Sequence, residues 1–540
     1  MSRYSHRRIT VDANSYTRHR RVIPDTYDPG VFMFPSRTLR RALTAPAAAL
    51  LAVTGGLSAA SAAPERVDER PNIVMILADD LDATTTPVWE AMPRTAALIR
   101  DRGMELTESF APMPICCAAR SSILTGQYGH NTGVLTNAGP VGGFESFRDN
   151  GNEDHTIATV LHDAGYRTGM AGKYMNGLEN DPGHIPPGWD DWNAGVDNFL
   201  YSGYNYTLNE NGTFVKYGVT PADYQTDVIA NKSRAFITDA AASGQPFFWY
   251  ALPTAPHFPI PPAPRHIPET RPTAAPRSPN YQEADVSDKP SWLIDTAAAR
   301  AATIAATNDI DYTNRLGSLK ALDEMVADIV ATLAATNELD NTYLVFTSDN
   351  GYSLGAHRLT QKMAPYEESM RVPLAIAGPG ISSGRSAAMA LSIDLAPTLF
   401  DWAGTDIPGH VDGRSLVPVL AGDDTGWRTD FLAEYGGAGF NGRNGIIQEQ
   451  VPGTETPAMY MFDMPSWSAV RTGRYLYTRW YDRERPLEDR EYELYDLEVD
   501  PYQLTNLIKT DEGRAANAQL VEDLDRRLTE LNSCTSLSCH

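Results

Sequence analysis

The run Pro71-Asn-Ile-Val-Met-Ile-Leu-Ala78 is apolar and β-branched without a break, and it stops abruptly at Asp79-Asp80. A half-exposed strand alternates, whereas a continuous run of this length is what a strand covered on both faces looks like. Segments 247–252 and 342–347 repeat the pattern. The first runs into Pro253-Thr-Ala-Pro-His257 and the second into Ser348-Asp349-Asn350-Gly351. Between them, 156–164 has helical spacing, 168–171 is a short Gly-punctuated strand, and 309–335 is a long amphipathic helix. Strands alternating with helices predict an α/β fold, a doubly wound sheet with helices on both faces. Ligands in such sheets bind beyond the carboxyl ends of the strands, where Asp79, Asp80, His257, Asp349 and Asn350 all fall.

Residues 256–290 are rich in proline and polar residues without periodicity, so an irregular insertion carries His257. Past residue 422 the pattern changes to short strands at 467–471 and 475–480 and a final helix near 517–531. The predicted organisation is a catalytic domain over 64–422 and a smaller C-terminal α+β subdomain with a short tail over 423–540.

The first 63 residues carry nine Arg and three Asp, a net +6, which leaves −29 on the rest of a chain whose formal charge is −23. After Met33, the expected true start, come basic Arg37, Arg40 and Arg41, an Ala/Leu-rich run, and the small residues 58–63. That order predicts a leader and signal peptide over 1–63, cut after Ala62, and a secreted or cell-envelope protein. Pro46, Gly55 and Gly56 inside the apolar run argue against a retained anchor, so no stable membrane insertion is expected. Arg40-Arg41 is compatible with twin-arginine export, and ordinary Sec export stays open. With 68 Asp and Glu against 45 Lys and Arg, the chain has no general affinity for nucleic-acid phosphates.

Asp79, Asp80, Asp349 and Asn350 supply three carboxylates and an amide, the hard oxygen donors of calcium or magnesium; the plainer alternative is loop or helix-cap residues. Of four cysteines, Cys534 and Cys539 lie in a polar tail where a short disulfide loop is expected. Cys116-Cys117 sit in Pro114-Ile-Cys-Cys-Ala-Ala-Arg120-Ser-Ser-Ile-Leu-Thr-Gly126.

This last segment resembles the sulfatase signature, Cys-x-Pro-x-Arg followed by x-x-x-Leu-Thr-Gly, with Ala118 where the family carries proline. Further segments resemble the family in order. They are Lys173 in Gly-Lys-Tyr-Met-Asn, His257 in Ala-Pro-His-Phe-Pro, 348–357 ending in His357, Lys362 followed by 365–373, and 493–507. The Lys-Tyr-Met-Asn wording and 259–292 are similar to the N-acetylglucosamine-6-sulfatase and heparan 6-sulfatase branch, which makes Asn176 a candidate substrate contact together with His357. The resemblance implies an alkaline-phosphatase-like fold and a formylglycine made from Cys116 by a maturation enzyme. It also implies one calcium ion on Asp79, Asp80, Asp349 and Asn350. Arg120, Lys173 and Lys362 would bind sulfate oxygens. A hydroxyl of the hydrated aldehyde, activated by calcium and Asp80, would attack sulfur, and His257 with Lys362 would protonate the departing oxygen. Met175 stands where many members have a histidine, which leaves the base for sulfate release unassigned. The expected substrate is a sulfated small molecule or glycan, of N-acetylglucosamine-6-sulfate or aryl type. Two alternatives remain: a phosphonate or phosphate ester hydrolase of the same superfold, and a non-catalytic glycan-binding homologue with Cys116 unmodified.

Overall fold

The first apolar run forms the strand Asn72–Ala78 (β1), buried at every residue. The computed structural model describes residues 68–437, 464–481 and 490–540, with backbone alone at 295–306. The leader, its cut after Ala62, Met33 and Arg40-Arg41 lie outside the described residues. Among the described residues β1 lies inside a ten-stranded sheet. The other strands are Met104–Leu106 (β2), Arg167–Gly172 (β3), Asp191–Gly195 (β4), Thr207–Glu210 (β5), Thr213–Lys216 (β6), Phe247–Leu252 (β7), Thr342–Ser348 (β8), Leu374–Ala377 (β9) and Gly384–Ser386 (β10). The spatial order is β10-β2-β9-β8-β1-β7-β3-β4-β5-β6. From β8 to β4 neighbouring strands are parallel. Antiparallel β9 on one side and the β5–β6 hairpin on the other flank this block.

Successive side chains of a strand point to opposite faces of its sheet. Ile73, Met75 and Leu77 therefore join Phe248, Tyr250 and Val345 in one apolar cluster. Val74 and Ile76 join Phe247, Trp249, Leu344 and Phe346 in the other. Helices Cys116–Thr125 (α1), Ile157–Asp163 (α2) and Leu395–Ala403 (α5) close the first face with Ile123, Leu161 and Leu399. Helices Gln225–Ser243 (α3) and Ser291–Ala335 (α4) close the second with Phe236, Leu322 and Ile329. Each such side chain contributes about 1.5–3 kcal/mol on burial, which is why the strands read as unbroken apolar runs. The structure is the α/β fold with helices on both faces. Thr156 starts α2 with a capping box, its hydroxyl accepting from the Thr159 N–H at 3.2 Å. Helix α4 begins at Ser291 rather than near 309. Its first turns are Ala-rich, so propensity and not an amphipathic period sustains them.

Strands Asp430–Tyr435 (β11), Ser466–Thr472 (β12), Tyr475–Tyr481 (β13) and Glu491–Asp496 (β14) form a separate antiparallel sheet in sequence order. Helix Ala518–Leu531 (α6) lays Leu524, Leu528 and Leu531 against it. This sheet shares the first face's apolar cluster: Phe110 meets Phe431 with ring centroids 4.8 Å apart, and Trp467 and Trp480 belong to the same cluster.

Cys534 and Cys539 form the tail disulfide. The Cys534 carbonyl accepts from His130 Nε2 at 3.0 Å, while His130 Nδ1 meets Glu434 Oε1 at 2.8 Å. Both partners are acceptors, so both ring nitrogens carry hydrogen and the imidazole is a cation. Burial opposes that charge, and the Glu434 carboxylate outweighs it and lifts His130 to about 9. A pKa raised in the folded state stabilises fully below the unfolded value of about 6.5 and is lost as pH rises through about 9. The melting-temperature gap between the parent and His130→Gln is therefore expected to be widest in the acid range and to close above about pH 9. A gap independent of pH would contradict this assignment.

Candidate active site

Parallel strands end on one edge of a sheet, so the residues that follow them converge. Asp79 and Asp80 follow β1, Asp349 and Asn350 follow β8, Lys173 follows β3, and the turn after β7 leads to His257. Backbone bonds fix the junctions: Asp349 N–H donates to Ala78 O at 3.2 Å, Lys173 N–H to Leu252 O at 2.9 Å, and Asp79 N–H to Ala255 O at 3.3 Å. Cys116 enters from the first face as the opening residue of α1, behind the extended Ile115. Its side chain thus stands at the positive end of the helix dipole.

Cys116 Sγ lies 2.8 Å from Lys362 Nζ, 3.7 Å from Asp79 Oδ1 and 3.9 Å from Asp80 Oδ1. Lys173 Nζ donates to both Asp79 oxygens, at 2.7 and 3.0 Å. Lys362 Nζ donates to Asp80 Oδ1 at 2.5 Å. Arg120 Nε donates to Asp349 Oδ2 at 2.8 Å, and its Nη1 donates to the Lys173 carbonyl. Asn350 Nδ2 donates to Asp80 Oδ1 at 2.7 Å, and Asp80 N–H to Asp349 Oδ1 at 3.1 Å. All of these groups are buried. Ligand atoms of Asp79, Asp80, Cys116 and His257 lie within 4.8 Å of one another and could hold a metal ion.

Three carboxylates face three permanent cations. Burial disfavours the charge on Asp79, but Lys173, His257 and Arg120 prevail and hold it down at about 2. Burial likewise opposes Asp80, and Lys362 foremost holds it below the usual carboxylate range. Against burial, Asp79 keeps Lys173 and Asp80 keeps Lys362 firmly protonated. The Cys116 thiol goes the other way: burial pushes it up to about 12, past the pull of both lysines. Burial thus disfavours the thiolate at Cys116.

Among the buried polar atoms without a hydrogen-bond partner are Asn350 Oδ1 and Arg120 Nη2, the latter 3.7 Å from Asp79 Oδ2. Leaving such an atom unpaired costs about 1–3 kcal/mol. An amide oxygen beside three carboxylates suits a hard divalent cation, and a spare guanidinium donor suits an anionic oxygen. His257 Nδ1 donates to the Phe258 carbonyl, since a carbonyl only accepts. The other ring nitrogen, Nε2, lies 3.4 Å from Asp80 Oδ2.

Asn176 Nδ2 donates to Tyr201 Oη at 3.0 Å. The Tyr201 ring lies 4.6 Å from the His257 ring and 4.9 Å from Lys173 Nζ. No motif marks Tyr201, which sits in the turn Asn198–Ser202. Cys117 points elsewhere: its N–H donates to Asn137 Oδ1 at 2.8 Å and its sulfur lies 3.8 Å from the Asn176 carbonyl. His357, a candidate substrate contact by resemblance, packs into a buried network. It is fully buried, with Nδ1 2.7 Å from Glu283 Oε2, Nε2 3.4 Å from Asn280 Nδ2, and its ring 4.1 Å from that of Tyr366. Both nitrogens serve a buried network that braces the segment between Asn350 and Lys362.

A sulfatase family profile matches residues 71–405. Human N-acetylglucosamine-6-sulfatase is 35% identical over 496 residues, 87% of this chain and 86% of the relative. An arylsulfatase of Volvox carteri is 33% identical over 520 residues, covering 87% and 76%. A solved protein in complex with its substrate D-glucosamine-2-N,6-O-disulfate superposes with a TM-score of 0.67 at 24% identity over 85% of this chain and 97% of that one. The chain belongs to the sulfatase family of sulfuric ester hydrolases, and within it is similar to the N-acetylglucosamine-6-sulfatases.

Proposed function

We propose that this chain removes sulfate from a carbohydrate 6-sulfate ester, of the N-acetylglucosamine-6-sulfate type. The observation that carries the reading is Cys116 at the helix start, against Asp79, Asp80 and Lys362 in a buried cluster that also holds Asp349, Lys173 and Arg120. Similarity to human N-acetylglucosamine-6-sulfatase supports the substrate class.

Asp79, Asp80, Asp349 and Asn350 would hold one calcium ion, which supplies Lewis-acid stabilisation of charge on the sulfate oxygens. A formylglycine made from Cys116 would supply, once hydrated, a hydroxyl nucleophile. The substrate is an anion, and further charge develops on its leaving oxygen. Arg120 Nη2 has a donor to spare for a sulfate oxygen, while Lys173 and Lys362 stay cationic against burial. These fixed charges favour the transition state without reorganising. Asp80 Oδ1 lies 3.9 Å from Cys116 Sγ, within reach to accept a proton from a hydroxyl at that position. His257 Nε2 gives a proton to the departing sugar oxygen, its other nitrogen being tied to Phe258. Asn176, held by Tyr201, contacts the sugar.

Ala118 is the third residue of α1, where a proline would also fit because first-turn N–H groups have no partner inside the helix. The departure from the signature therefore acts on recognition by the maturation enzyme and leaves the fold alone. Cys116 is fully buried, so that enzyme must reach it before folding. Export of the chain fits this order, and no helix among the described residues is long and apolar enough to cross a membrane.

Mass spectrometry of the tryptic Cys116 peptide is expected to show loss of one sulfur and two hydrogens and gain of one oxygen. Cys116→Ala should abolish turnover with an unchanged melting temperature, whereas Cys117→Ala retains most activity. Equal loss in both variants would mean that the register is wrong. On a panel of sugar 6-sulfates, aryl sulfates and phosphonate monoesters with calcium present, the sugar 6-sulfates should give the highest kcat/KM. Preference for phosphonates would overturn the proposed chemistry.

A further inference from the structure

The long helix α4 sends a buried arginine, with Asp311 one turn before it, towards the active-site edge. Arg315 is 1% exposed and lies outside every segment so far given a role. Its Nη2 donates to the Asp80 carbonyl at 2.5 Å, and its Nη1 donates to the Pro256 carbonyl at 3.3 Å. Asp82 Oδ1 stands 3.6 Å from Nη2. The guanidinium lies over the Tyr352 ring, 4.4 Å from its centroid. Asp82 itself is committed to the next turn, its carboxylate accepting from the N–H groups of Thr84, Thr85 and Thr86.

Both carbonyls belong to the proton-transfer pair's own backbone. Asp80 is the residue that meets Lys362 and the Cys116 position. Its φ of +66° puts it in the left-handed region, where an L-residue with a side chain needs outside support. Pro256 immediately precedes His257. Among the described residues Arg315 is the side chain that donates to both the Asp80 and the Pro256 carbonyls. A planar fork with separated donors can span two acceptors, whereas an ammonium is a single point.

We propose that Arg315 is a positioning residue that clamps the peptides of Asp80 and His257 in one register, so that the aspartate and the imidazole keep their separation during turnover. The inference rests on the proposed roles of Asp80 and His257. A misplacement of about 1 Å in such a pair costs about 100-fold in rate, and a loss confined to the transition state lowers kcat and leaves KM in place.

The test compares Arg315→Met and Arg315→Lys with Arg428→Lys in the mature, calcium-loaded enzyme, following kcat, KM and melting temperature with and without added calcium. Arg428 is a buried partner of Asp394 with no contact to the cluster, and serves as the stability control. The clamp predicts a roughly 100-fold fall in kcat with KM little changed in Arg315→Met. It predicts that Arg315→Lys recovers the melting temperature but not kcat, and that Arg428→Lys loses melting temperature but not kcat. It also predicts a smaller calcium-induced rise in melting temperature for both Arg315 variants, since Asp80 carries the metal side chain. Parent-like kcat in the Arg315 variants overturns the clamp. So does full recovery of kcat by lysine, or a kcat loss in Arg428→Lys of equal size. If Arg315→Met does not fold, Arg315→Lys decides alone by the same criteria. Asp80→Asn and His257→Gln separate the two claims. Activity in either sinks the assigned roles, whereas inactivity there with active Arg315 variants sinks only the clamp.

Discussion

The pairing of Asp79, Asp80 and Asp349 with Lys173, Lys362 and Arg120 is the constraint on which the rest of this structure depends. Ions out of water must be paired or coordinated, and these six are. Deleting one partner of such a set typically costs about 3–5 kcal/mol, so the site is stable only if the sheet edge delivers all of its members together. Without a metal the permanent charges balance. A divalent cation turns the pocket net positive, which is the polarity a sulfate ester requires. The amide oxygen of Asn350 and Arg120 Nη2 make no hydrogen bond, and the first is suited to a cation and the second to an anion.

The scaffold explains why so distant a set of residues can meet. Asp79 and Asp349 are 270 positions apart in the chain, yet β1 and β8 pair in parallel register from Asn72 opposite Thr342 to Ala78 opposite Ser348. The following residues are therefore neighbours by construction. The C-terminal sheet adds a second restraint. The Trp467 indole donates to the Met363 carbonyl at 2.8 Å and the Met363 N–H donates to Pro114 O at 3.0 Å. That chain of bonds holds Lys362 beside Cys116 and gives a reason for the small sheet to share the main core.

Much of this was legible before any coordinates. Strands buried on both faces announce themselves as unbroken apolar runs, and their abrupt ends pointed to Asp79, Asp80, Asp349 and Asn350. The motif wording supplied Cys116, Arg120, Lys173 and Lys362, whose lysines no period or composition would have separated from surface lysines. Other features were hidden for physical reasons. The start of α4 is Ala-rich and has no stripe to detect. Strands β2, β9 and β10, towards one end of the sheet, are short, and their pairing is set by tertiary contact that leaves no pattern in the sequence. His357 lay inside a matched motif but turned inward to Glu283, and sequence carries no signal for which way a side chain turns. Tyr201 and Arg315 act through a ring face and through backbone carbonyls, neither of which leaves a pattern in the chain.

The central claim is that this balanced cluster takes up one hard cation and becomes an anion-binding site. Calorimetric titration of calcium into the chelator-stripped protein tests it most directly. The account predicts saturable binding of one ion per chain, lost in Asp349→Asn. No saturable binding, or binding that Asp349→Asn leaves intact, would contradict it.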